Sequence, residues 1–142
     1  MKKLIDYIGV LGCVIILLSA CAHRIQDYTS AIDANWSIQL PNTYKEVYSV
    51  DDGQSFNGDG RRYHVFLYED NKDINDRLIW KSNKNTIVEN QVIEIMNNLD
   101  IDDMYLINFD QTYKYVDKYD GYGSSLFLIL IEDMLYVVED IY

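Results

Sequence analysis

The sequence predicts an α+β domain: a mainly antiparallel β-sheet of about five or six strands, with one main amphipathic helix packed on one face. Short apolar and aromatic runs occur on both sides of a single strong helical pattern, which is the element order of this fold class. Thirteen tyrosines and one proline favour an ordered, sheet-rich chain over a disordered one.

The first elements predicted after residue 34 are strands. Residues 35–40, NWSIQL, alternate apolar and polar side chains and predict a half-buried strand, which Pro41 ends because it cannot donate to a ladder. Residues 44–50 predict a second strand that forms a hairpin with the first. Residues 51–60 hold three glycines and three aspartates and predict a loop, and residues 63–68 predict a third strand.

Residues 70–76 are polar and predict a loop. The secondary structure of residues 77–81 stays open. The helical pattern begins after them. Thr86 and Glu89 have the spacing of a capping box, in which each side chain satisfies a free backbone N–H at the helix start. Apolar residues then recur at helical spacing: Val88, Val92, Ile95, Met96 and Leu99. The pattern predicts an amphipathic helix of about 12 residues whose apolar stripe covers the sheet.

Strand patterns return after the helix. Residues 104–119 predict one broken strand or two short ones. Residues 126–131, LFLILI, form an unbroken apolar run between turn residues, which is typical of a central strand buried on both faces. Residues 135–138 follow after a short turn and predict an antiparallel hairpin with that strand.

The N-terminal residues have the pattern of an export signal. Lys2 and Lys3 supply a positive start, and residues 7–22 carry no charge. A permanent membrane span needs about 20 apolar residues, so this stretch is short for a span and suits the apolar region of a signal peptide.

A short motif directly follows the apolar run and consists of Leu18, Ser19, Ala20 and Cys21. It resembles the lipobox of bacterial lipoproteins. The resemblance implies that signal peptidase recognises the three residues before Cys21, that the chain is cut there, and that the Cys21 thiol receives a diacylglyceryl group. Two acyl chains are enough for stable anchoring. An uncleaved anchor helix, or an ordinary signal peptide with a chance cysteine, is the alternative.

The resemblance divides the chain into three parts. Residues 1–20 are the signal peptide, residues 21–34 the lipidated N-terminus and tether, and residues 35–142 a single α+β domain. The roughly 12 tether residues reach about 40 Å when fully extended. The implied location is the extracytoplasmic face of the cell membrane, and the implied first partner is the membrane itself, through Cys21.

Cysteine use excludes several kinds of site in the exported domain. The two cysteines are Cys13, inside the signal peptide, and Cys21, the proposed lipid site. The domain therefore has no disulfide, no cysteine zinc site and, with Cys21 acylated, no cysteine nucleophile. No cofactor is predicted.

The charge of the chain limits its partners. It has 12 basic and 23 acidic side chains, for a formal net charge of −11. Nucleic acid and anionic lipid head groups would both be repelled by this surface, and no nucleic-acid partner is predicted. The charge favours a basic envelope protein or peptide; the alternative is an acidic surface that only keeps the domain soluble.

One segment gathers the candidate site residues: Asp51, Asp52, Asp59, Arg61 and His64. The aspartates are oxygen ligands of the kind that calcium accepts, but their spacing does not match an EF-hand, and no metal site is predicted. Arg61 either binds an anion or pairs with acids of this chain. His64 is expected to face solvent or to be hydrogen-bonded at the sheet edge.

These observations favour a non-catalytic module that binds a protein or peptide, with an immunity or inhibitor role as one version. Tyrosine suits recognition surfaces because it is large, rigid and half polar. No catalytic motif is present, and the chain is not predicted to be an enzyme. The alternative is a small hydrolase or metal-dependent enzyme that uses the region from Asp51 to His64.

Overall fold

The computed structural model describes residues 27–53 and 58–142. The signal peptide, Cys21 and the first part of the tether lie outside the described residues, so these stay predictions. Within the described ranges, no helix has the length and apolar content that a membrane crossing requires.

Five strands form one antiparallel sheet in the order β1-β2-β5-β4-β3. They are β1 (Tyr44–Asp51), β2 (Gly60–Tyr68), β3 (Lys114–Tyr119), β4 (Ser125–Ile131) and β5 (Met134–Ile141). The helices are α1 (Tyr28–Trp36), α2 (Lys72–Arg77) and α3 (Thr86–Met96). The predicted α+β class with a mainly antiparallel sheet is confirmed.

Both faces of the sheet are covered. On one face, here called the α3 face, α3 packs on aromatic and β-branched residues that include Tyr63, Val65 and Phe127. On the opposite face, the α1 face, α1 and α2 contribute Ile32, Trp36 and Ile74 to a second core. All seven residues of β4 are buried, which confirms the prediction of a strand buried on both sides.

Helix α1 lies where the sequence predicted the end of the tether and the start of the first strand, so both predictions were wrong for these residues. Its N-cap Asp27 accepts the Thr29 N–H, and Ile32 and Trp36, four residues apart, turn one side into the core. The segment that follows α1 still buries Ile38 and Leu40 but pairs with no strand in the described residues. The folded domain therefore includes at least residues 27–34, which were predicted to be tether.

Residues 70–76 and 104–119 also differ from the prediction. The first contains most of α2, whose Ile74 is fully buried in the α1-face core. In the second, Asp103–Tyr105 forms a 3-10 helix and only Lys114–Tyr119 forms a strand, while Ile107 is buried in the core of the α3 face without pairing in the sheet. The predicted hairpin of β4 and β5 is confirmed, and β5 extends to Ile141.

The predicted helix is confirmed as α3, but its capping box is not. Asn85 is the N-cap, and its side chain accepts the Ile87 and Val88 N–H groups at 3.1 and 3.4 Å. Glu89 turns inward instead and accepts the Tyr113 hydroxyl at 2.6 Å. The buried Tyr113 hydroxyl needs an acceptor, and Glu89 accepts from it instead of accepting the backbone N–H that a capping box would offer.

Candidate functional site

The predicted site residues separate into two clefts. Asp52, Asp59 and Arg61 line a shallow cleft at the end of the sheet, called the loop cleft. His64 lines a different cleft, called the His64 cleft. Because successive residues of a strand point to opposite faces, Arg61 lies toward the α3 face and His64 toward the α1 face.

The loop cleft is held by contacts within its own chain. Asp52 accepts the Arg61 N–H at 2.9 Å, and the Arg61 guanidinium lies 3.5 Å from both Asp52 Oδ2 and Asp140 Oδ2. Asp51 accepts the Gly53 N–H at 2.9 Å. Arg61 is thus occupied by acids of this protein, and Asp51 and Asp52 each accept a backbone N–H, from the turn and from β2 respectively. Across residues 27–53 and 58–142, no group of three or more His, Cys, Asp or Glu is placed to hold a metal ion.

His64 is the centre of a polar cluster on the α1 face. Its side chain is 13% exposed, its Nδ1 lies 2.5 Å from Glu46 Oε1, and its ring stacks on Tyr28 with 3.5 Å between ring centroids. Burial lowers the pKa of His64, and the bond to Glu46 opposes this decrease. The imidazole is therefore neutral at neutral pH.

Asp27 and Tyr44 form the second polar pair of this cleft. The Tyr44 hydroxyl and the Thr29 N–H both donate to Asp27 Oδ1. Burial raises the pKa of Asp27, but these hydrogen bonds outweigh it and hold the pKa below its ordinary value. Burial and the adjacent carboxylate raise the pKa of Tyr44. Asp27 is ionised and Tyr44 neutral at neutral pH.

Glu139 lies beneath the same cluster and was missed by the sequence analysis. It is 1% exposed, and its carboxylate accepts the Tyr28 hydroxyl and, at 2.5 Å, Trp36 Nε1. Burial raises its pKa to about 7, and the two donors, which favour the ionised form, oppose the increase. Alternation with Leu135 and Val137 along β5 was the signal that would have placed Glu139 in this core.

Three exposed tyrosines mark the end of the sheet and are called the tyrosine surface. Tyr122 is 90%, Tyr142 68% and Tyr119 53% exposed. Tyr119 ends β3, Tyr122 lies in the β3–β4 turn and Tyr142 follows β5. These three strands are neighbours spaced about 4.8 Å apart, so the rings share one end of the sheet.

The tyrosine surface has an acidic border. Glu94 and Asp140 line a small cleft beside Tyr142, and Arg61 is the one basic side chain among its lining residues. Arg61 pairs with Asp52 and Asp140. The net charge of the border is therefore negative, and it lies next to exposed aromatic rings.

Comparison with known proteins finds no matching family model, no matching curated protein and no matching solved structure.

Proposed function

We propose that the chain is a small lipoprotein, anchored through Cys21 to the extracytoplasmic face of the cell membrane, whose domain binds a basic protein or peptide without catalysis. The motif that ends in Cys21 supports this location and the lipid anchor. The tyrosine surface with its acidic border is the observation that carries the binding role.

The physical basis is the pairing of exposed aromatic area with negative charge. Tyrosine buries a large surface at low cost in side-chain entropy, which makes it frequent at binding hot spots. Tyr122 and Tyr142 are mostly exposed, so they are open to a partner. The formal charge of −11 and the acidic border favour a cationic partner and accelerate its approach. An immunity or inhibitor role is one version of this function.

The alternative, a hydrolase or metal-dependent enzyme, needs the loop acids and His64 to act together. Asp52 and Asp59 line the loop cleft, whereas His64 lines a cleft toward the other face of the sheet. Their separation supports the binding role over the enzymatic alternative.

The proposed lipid anchor is tested by fractionating cells that express the full chain or the Cys21→Ser variant, with metabolic labelling by a radioactive fatty acid. We expect the native protein to carry label, to lack its first 20 residues and to sediment with membranes. The variant should lose the label and the cleavage. A native protein that carries no label, or that keeps its first 20 residues, would contradict the anchor.

The binding role is tested by fluorescence anisotropy with an N-terminally labelled arginine-rich decapeptide that contains no lysine and a glutamate-rich one of the same length. We expect only the basic peptide to bind, and more weakly at high salt because exposed charges are screened. The Tyr122→Ser, Tyr142→Ser double variant should weaken binding roughly tenfold, since hot-spot tyrosines contribute more than 1 kcal/mol.

Ile79→Ser is the matched control, because Ile79 is 95% exposed and lines a different cleft. This variant should bind as the native protein does. Equal binding of both peptides, or equal loss in the control, would rule out the tyrosine surface as the site.

A further inference from the structure

The His64 cleft offers negatively charged acceptors at its surface. Asp27 uses Oδ1 for its bonds from Tyr44 and Thr29, and Glu46 uses Oε1 for its contact with His64. Among residues 27–53 and 58–142, Glu46 Oε2 has no hydrogen-bond partner, and the Thr29 side chain adds a further hydrogen bond to Asp27. Both carboxylates line the cleft, and because each carboxylate oxygen has two lone pairs, both groups can accept from a ligand.

The walls of the cleft are aromatic and its rim is polar. Tyr28 and Tyr44 form two sides, while Asn42 and Ser49 add an amide and a hydroxyl. The cleft holds about 450 Å³, which is within the range of small-ligand sites. Tyr28 is fixed by its stacking on His64 and its hydrogen bond to Glu139, so this wall is rigid before any ligand enters.

The charge of the cleft favours a cation. Among the described residues, no lysine or arginine lines it. Arg62, which lies on the same face of β2 as His64, is opposite Asp51 in the sheet, and this carboxylate offsets its charge. His64 is neutral at neutral pH because burial lowers its pKa. Asp27 stays ionised, since its hydrogen bonds hold its pKa low. An entering cation thus meets two carboxylates between aromatic rings and displaces no basic side chain from the lining.

We propose that the His64 cleft binds a primary alkylammonium group, the chemistry of a lysine side chain. Such a group has three N–H donors, which match the carboxylate oxygens of Asp27 and Glu46 together with the Asn42 or Ser49 side chain. Its methylenes lie against the tyrosine rings, and the ring faces attract the positive charge. A quaternary ammonium has no donor for these oxygens, and the described residues hold no cluster suited to a metal ion.

This site is separate from the tyrosine surface, so each proposal stands or falls alone. His64 pairs with Val137 in the sheet, five residues before Tyr142 along β5. At about 3.4 Å per residue, the two sites lie roughly 17 Å apart along the strand.

The test is a titration of the full chain, extracted in a non-ionic detergent, with n-butylammonium chloride while the imidazole C–H signals are followed by NMR. The chain has two histidines, and His64→Gln assigns the signal. We expect a saturable shift of the His64 signal with half-saturation on the order of millimolar. Tetramethylammonium at equal ionic strength should give no saturable shift.

Two isosteric variants locate the site. Glu46→Gln and Asp27→Asn should each weaken n-butylammonium binding about tenfold, the effect of losing one charge-assisted hydrogen bond. Asparagine caps a helix as well as aspartate does, so α1 should remain folded. Glu69→Gln removes an exposed acid outside the cleft and should change nothing.

Several results would overturn the proposal: no saturable shift in the native protein, equal binding of both ammonium ions, or native affinity in Glu46→Gln. Glu46 is exposed, so this variant decides the question even if Asp27→Asn perturbs the fold.

Discussion

The two faces of the sheet each bury a glutamate beside a tyrosine, but in different surroundings. On the α3 face, Glu89 lies at the rim of the core, where Tyr113 donates to it at 2.6 Å and Lys84 Nζ is 4.0 Å away. On the α1 face, Glu139 is 1% exposed, its donors are the neutral Tyr28 and Trp36, and no salt bridge reaches it within the described residues. The comparison teaches that a buried carboxylate with a cation in reach secures one helix locally, whereas one in the core with only uncharged donors makes the stability of the whole domain depend on pH.

The largest expected difference between the faces comes from removing the carboxylates. Glu139→Ala leaves Trp36 Nε1 and the Tyr28 hydroxyl without an acceptor and opens a cavity, so we expect a loss of about 3–4 kcal/mol in the free energy of unfolding. Urea denaturation of the full chain measures it.

Glu89→Ala is the matched variant on the α3 face. Tyr113 still accepts the Asn85 N–H at 3.0 Å, and its hydroxyl is the one donor that loses its acceptor, so the expected loss is about 1–2 kcal/mol. Equal losses at both positions would show that burial does not distinguish the two glutamates.

The pH dependence of stability sharpens the same comparison. The pKa of Glu139 is raised from 4.5 to about 7, so the folded state binds the proton more tightly than the unfolded state. This contribution is complete below about pH 4.5 and is lost as the pH rises through 7; it amounts to at most about 3 kcal/mol. Urea midpoints between pH 4.5 and 7.5 measure it.

Glu139→Gln isolates this contribution from that of His64. The pKa of His64 is lowered, so its contribution has the opposite sign and is lost as the pH falls. In Glu139→Gln the amide can accept from Trp36 and donate to Tyr28, which keeps both partners satisfied. The stability of the native protein relative to this variant should fall with rising pH, and parallel curves would contradict the prediction.

A smaller effect is expected at the start of α3. Asn85→Ala removes the side chain that accepts the Ile87 and Val88 N–H groups and donates to the Tyr115 hydroxyl at 2.9 Å. We expect a loss of about 1–2 kcal/mol, measured by thermal or urea unfolding. Thr86→Ala should cost less than half of this, whereas a capping box at Thr86 would reverse the order.

The smallest effect is expected from an exposed tyrosine on the α3 face. Tyr119→Phe removes the bond from its hydroxyl to Gln91 Oε1 at 2.9 Å, but both groups can bond water instead. The free energy of unfolding should change by at most about 0.5 kcal/mol. A loss comparable to that of Asn85→Ala would mean that the surface bond is structural.

The α3 face was the more predictable half of the fold. The stripe from Val88 to Met96 has helical spacing, and the apolar run of β4 needs no partner to be identified. The α1 face was harder because the buried contacts of α1 are few, chiefly Ile32 and Trp36, and the sequence around Trp36 alternates like a strand. The docking of α1 depends on the bond from Trp36 to Glu139, more than 100 residues away. Strand alternation places Glu139 on this face, but no local pattern pairs it with Trp36.

The candidate site was predictable in composition but not in arrangement. The glycines and aspartates of residues 51–60 predicted a loop that leads to Arg61, and Asp52 accepts the N–H of Arg61 at the start of β2. The contact of His64 with Glu46 depends on the β1–β2 register, which shifts between Glu46 and Tyr48. Strand alternation does not predict where such an irregularity falls, and one extra residue changes which side chains meet.

The docking of α1 has a consequence for how the domain would sit on a bilayer. Asp27 follows the proposed acylation site Cys21 by only six residues, and six fully extended residues span about 20 Å. This maximum distance between the lipid and the domain is half that of a tether that extends to residue 34. The α1 face and Asp27 would then stay close to the lipid surface, and recognition would be confined to molecules that also approach that surface.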